Sequence, residues 1–97
     1  MTDLENVRRE IDAVDQEMLA LFVRRLSLVD KVAAAKRESG APVVDSARER
    51  EILERAASGA GPRFASEAKD FFSALMSISK ARQRSILGER ARGEASA

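Results

Sequence analysis

The chain has no cysteine, no histidine, no tryptophan and no tyrosine, and only two prolines among its 97 residues. Without Cys there is neither a disulfide framework nor thiol chemistry, which fits a reducing compartment and makes the cytoplasm the default location. Without His the commonest general base is gone, and with both missing so are nearly all transition-metal sites and nucleophilic triads. No metal or other cofactor is expected. Aromatics are 4%, all of them Phe, so packing rests mainly on Leu, Val, Ile, Ala and Met, a profile that favours helices. No apolar run approaches the ~20 residues of a membrane span, and the Met-Thr-Asp-Leu-Glu start lacks the basic-then-apolar order of a signal peptide. Seventeen Lys and Arg against sixteen acids leave a net charge of +1. That balance gives no general electrostatic case for nucleic acid or an anionic membrane as partner.

What is present is helical periodicity. From Asp3 to Ser39, steps of three and four pick out Leu4, Val7, Ile11, Val14, Met18, Leu21, Arg25, Leu28, Val32 and Ala35, one continuous helical seam. Thr2 or Asp3 can cap its start, and Gly40 followed by Pro42 ends it. At ~1.5 Å per residue this helix is roughly 55 Å long, whereas a compact chain of this size has a radius of gyration of only ~13 Å. It therefore needs a partner along its length. Leu19, Phe22, Leu26, Val29 and Ala33 widen the apolar arc, so more than one helix should pack on it.

A second helix, capped by Asp45 or Ser46, runs to about Ser58 with Ile52, Leu53, Ala56 and Ala57 inward. After the breaker Ser58-Gly59-Ala60-Gly61-Pro62 a third begins between Phe64 and Ser66 and runs to about Leu87. Its inner stripe is Ala68, Phe72, Leu75, Ser79, Gln83 and Ile86. From Gly88 onward no apolar pattern remains, and the tail reads as disordered. The fold class is thus all-α, a single domain over residues 1–97 with helices at about 3–39, 46–58 and 65–87. The initiating Met and the polar tail read as the ends of a complete unit.

Polar groups interrupt each apolar face. Arg25 places a permanent charge in the seam, where an unpaired cation costs several kcal/mol, so a partner or ligand is expected there. Lys36, eleven residues on, lies within about 20° of Arg25 and roughly 16 Å along the axis. Alone it reads equally as a solvated helix-end lysine favoured by the macrodipole, but in line with Arg25 it lets both converge on one small anion. Arg8 is about 25 Å from Arg25 and about 100° around the helix, too far to share a ligand within one chain. If two long helices cross antiparallel near residue 19, however, Arg8 of one chain faces the Arg25 to Lys36 interval of the other. Ser46 and Glu49 satisfy a capping box, yet Glu49 is also in line with Leu53 and Ala56, which turns its carboxylate inward. Arg48 reads equally as an exposed ion-pairing residue. Ser79 and Gln83, four apart on the third helix, are either ordinary interhelical hydrogen-bonding groups or ligand contacts. Together these residues describe a pocket for a polyanion that also carries a hydroxyl or ether.

The combination resembles the all-helical class of chorismate mutase. The shared pattern is an early Arg (Arg8), a mid-helix Arg (Arg25) and a late Lys (Lys36) on the first helix, an Asp-x-x-Arg-Glu element (Asp45 to Glu49), and a third-helix Ser-x-x-x-Gln (Ser79 to Gln83). The likeness spans about residues 3 to 87. It implies an intertwined antiparallel homodimer with two sites, each completed by Arg8 across the interface, and the rearrangement of chorismate to prephenate on the route to Phe and Tyr. It further implies that Arg8 and Arg25 hold the substrate carboxylates and that Lys36 and Gln83 donate to the breaking ether oxygen. Glu49, with Asp45, would receive the ring hydroxyl, while Arg48 and Ser79 complete the lining. Lys80 and Arg82 add positive charge around Ser79 that the family pattern does not call for. The rivals are an isochorismate-pyruvate lyase of the same fold and a non-catalytic helical dimerisation module. A mutase that needs a partner enzyme for full activity is a third.

Overall fold

The structure, a computed structural model, describes residues 2–88. The tail expected to be disordered lies, from residue 89 on, outside them. Three helices follow in order: α1 (Asp3–Ser39), α2 (Ser46–Ala60) and α3 (Ala65–Leu87). Each boundary has a local cause. Thr2 is the N-cap of α1, its hydroxyl accepting from Glu5 N at 3.1 Å, with Asp3 and Glu5 favourably placed in the first turn. Gly40 ends the helix in the left-handed conformation, φ 75°, and its N–H donates to Lys36 O at 2.8 Å. Asp45 rather than Ser46 caps α2, accepting from Arg48 N at 3.0 Å. This corrects the capping-box reading: with Asp45 as N-cap the reciprocal position is Arg48, and Glu49 is left free of the cap. The second helix also runs two residues past the expected Ser58, because Gly59 and Ala60 continue it until Gly61 turns the chain at φ 83°. Gly88 closes α3 at φ 79°.

α3 is the central element, with α1 and α2 each packing on it and no close backbone approach between α1 and α2. The expectation that several helices cover α1 is therefore met by only one within the chain. The core is small. Val29 and Ala33 of α1, Val43 of the linker, and Leu75 and Met76 of α3 are the buried apolar residues, accompanied by Ser79 and Gln83. Ala33 has no exposed surface and lies where α1 packs on α3, so Ala33→Leu should overpack that contact. We expect a loss of about 1–3 kcal/mol in a urea titration, with helix content unchanged.

Outside the core, Arg82 grips Asp30 with two hydrogen bonds of 2.8 and 2.9 Å, joining α3 to α1. Those hydrogen bonds hold the Asp30 carboxyl below the ordinary aspartate range. Because the folded value is lower, the pair stabilises the fold above the unfolded aspartate range and loses that contribution as pH falls through the folded value. Both side chains are about half exposed, so solvent screening keeps the effect small.

The molecule measures 55 × 28 × 25 Å with a radius of gyration of 17.2 Å, well above the ~13 Å of a compact chain of this length. The excess comes from α1. Leu4, Val7, Ile11, Val14 and Met18, the first half of the seam, are 45 to 58% exposed although their pattern is that of an interior face. Among the described residues no helix is long and apolar enough to cross a membrane.

Candidate active site

The three helices and the linker meet around a cleft of about 180 Å³. Arg25 and Lys36 enter it from α1, and Asp45, Arg48 and Glu49 from the start of α2. Ser79, Lys80 and Gln83 come from α3, and Val29, Val43 and Met76 are among its apolar residues. Seven of the eight residues expected from sequence are thus gathered in one place. Arg8 is the exception; it is exposed on α1 and does not line the cleft within one chain.

Arg25 is part-buried and donates through a short hydrogen bond to Ser79 Oγ, while the Ser79 hydroxyl donates to Leu75 O at 2.8 Å. The serine is therefore an anchor for the guanidinium, with its own proton committed to its helix. One oxygen partner leaves Arg25 without a counter-ion among the described residues. An arginine has five donors and cannot shed its charge, so this side chain is prepared for an anion. Lys36 Nζ donates to Val43 O at 2.8 Å and to Gln83 Oε1 at 2.9 Å. An ammonium has three protons, and the third remains for a ligand. Because the Gln83 carbonyl faces the lysine, its NH₂ is left to donate as well. Two donor groups, one of them charged, thus sit side by side, an arrangement suited to charge developing on one oxygen.

On the opposite wall Glu49 Oε1 lies 3.1 Å from Lys80 Nζ. The inward direction expected of Glu49 is correct. Its cationic partner is not visible in the sequence, which shows a Lys beside Ser79 but not that α2 lies on that side of α3. Asp45 has one oxygen committed to the helix cap. Arg48 stands at the cleft edge and pairs with Glu51 at 3.3 Å, both side chains more than half exposed, so this surface arginine has little holding it in place. Beyond the edge, Arg25 also borders a larger apolar groove of about 600 Å³ between α1 and α3, lined by Met18, Phe22, Phe71, Leu75 and Ile78 among others.

The geometry defines an all-helical protein with a part-buried cationic cleft carrying paired donors on one wall and a carboxylate on the other. The sequence matches the profile of the family described as chorismate mutase type II over residues 7–84, and the chain belongs to that family. It is 39% identical over 54 residues to the T-protein of Haemophilus influenzae, a match covering 56% of this chain and 14% of that protein. It is 38% identical over 52 residues to a chorismate mutase of Methanocaldococcus jannaschii, covering 54% and 52% respectively. It is 29% identical over 80 residues to the intracellular chorismate mutase of Mycolicibacterium smegmatis, covering 82% and 73%. The matched segment therefore spans a small part of the first of these relatives and about half of the second.

Proposed function

We propose that this chain is a homodimeric chorismate mutase that converts chorismate to prephenate in the cytoplasm, in the biosynthesis of Phe and Tyr. The observation that carries this reading is the convergence of Arg25, Lys36, Asp45, Arg48, Glu49, Ser79 and Gln83 on one cleft, with the Lys36 to Gln83 contact at 2.9 Å. The reaction is an isomerisation in which the ether C–O bond breaks as a C–C bond forms, with no proton or group exchanged with the protein. It needs no nucleophile and no metal, only a compact substrate conformer and donors aimed at the ether oxygen. Arg25 holds one carboxylate and Arg8 of the partner subunit the other. Lys36 and Gln83 donate to the ether oxygen, and Glu49, assisted by Asp45, accepts from the ring hydroxyl. Arg48 closes the edge, and Ser79 fixes Arg25.

The dimer is supported by the half-exposed seam of α1. Completing the burial of five such side chains contributes roughly 1 kcal/mol each per chain, enough to drive association when doubled by twofold symmetry. The purified protein should consume chorismate and release prephenate, and it should liberate no pyruvate from isochorismate. A dimer that leaves chorismate untouched, alone and with candidate partner enzymes titrated in, overturns the assignment. A monodisperse active monomer overturns the shared site.

A further inference from the structure

The cleft contains one cation that the proposed chemistry does not use. Lys80 Nζ is 3.1 Å from Glu49 Oε1, and both side chains are only 26% exposed. Placing a flexible ammonium at that depth costs side-chain entropy and hydration, which a surface lysine would avoid. Arg82, two residues further along α3, behaves differently: it is half exposed and is taken up by Asp30 on the outer surface. Among the described residues Lys80 is the one cation within ion-pairing distance of Glu49.

Glu49 depends on such a partner. The α2 cap belongs to Asp45, which accepts from Arg48 N, so the helix start does not fix the Glu49 carboxylate. With Oε1 held by Lys80, Oε2 has no hydrogen-bond partner among the described residues and is left to accept one from a ligand. We propose that Lys80 is a positioning residue, which clamps the Glu49 carboxylate against α3 so that one oxygen is occupied and the other is presented to the hydroxyl of the bound substrate. This rests on the functional reading above. The hydroxyl contact is present both in the bound substrate and in the transition state, so its loss should appear in KM far more than in kcat.

Lys80→Met, which keeps length without charge, should raise KM for chorismate about tenfold with kcat changed less than about twofold. Lys80→Arg should restore most of that loss. In a Glu49→Gln background the Lys80→Met change should add little, because the group through which Lys80 acts no longer pairs with it. A crystal structure of Lys80→Met should show the Glu49 side chain turned out of its present rotamer. Unchanged KM in Lys80→Met, an equal tenfold penalty in the Glu49→Gln background, or an unmoved Glu49 would each overturn the proposal. If the wild-type protein proves inactive on chorismate, the functional reading fails on that result alone. The rotamer of Glu49 in the Lys80→Met crystal still decides whether Lys80 positions it.

Discussion

Replacing Lys36 with Ala should lower kcat for chorismate by about a hundredfold to a thousandfold, the scale associated with removing one preorganised donor from a developing oxyanion. The size follows from the arrangement of its protons. Lys36 uses two on Val43 O and Gln83 Oε1, and the third is the charged donor that stands beside the Gln83 amide. The truncation also releases Gln83, whose amide is oriented by accepting from the ammonium, so a second donor loses its alignment in the same step. The fold should survive. Lys36 lies at the end of α1, where Gly40 supplies an independent cap, and the freed Val43 carbonyl faces the cleft, where water can satisfy it. Far-UV circular dichroism and size measurement should match wild type while single-turnover kinetics show the loss in the chemical step. Near-normal turnover would remove Lys36 from the mechanism.

The second large effect concerns two arginines that cannot serve the same site from one chain. On the shared-site reading, Arg8→Ala and Arg25→Ala homodimers should each be nearly inactive, since in each every site would have lost one carboxylate contact. Co-refolding the two variants in equal amounts should restore about a quarter of wild-type activity. Half of the dimers formed are mixed, and in each of these one site of the two has both arginines intact. Recovery to that level requires Arg8 to act across an interface. No recovery, with mixed dimers verified by mass, would mean that Arg8 does not act across the interface.

Much of this arrangement is legible in the sequence because its signals are local. Thr2, Gly40, Asp45, Gly61 and Gly88 act through their own turns, so helix limits could be read to within two residues. The angular spacing of Arg25 and Lys36 depends only on helix geometry, and both reach the cleft as expected. What could not be read depends on which helix lies against which face. Lys80 and Arg82 are two residues apart, hence on nearly opposite sides of α3. One meets α2 and pairs with Glu49, the other meets α1 and pairs with Asp30. Neither partner is visible from spacing along a single helix. For the same reason Ser46 and Glu49 could be read as a reciprocal cap: the motif was present, but Asp45, one residue earlier, offered the carboxylate that the helix start took.

The unsupported first half of α1 carries a consequence for how the protein experiences its own abundance. An isolated helix of that length is marginal in water, and little else in its chain holds it. On the shared-site reading, its ordering, the burial of the seam and the delivery of Arg8 of the partner subunit are one bimolecular event. Dilution then acts on this protein as a mutation would, removing structure and a substrate contact together, and specific activity becomes a property of concentration rather than of the polypeptide alone.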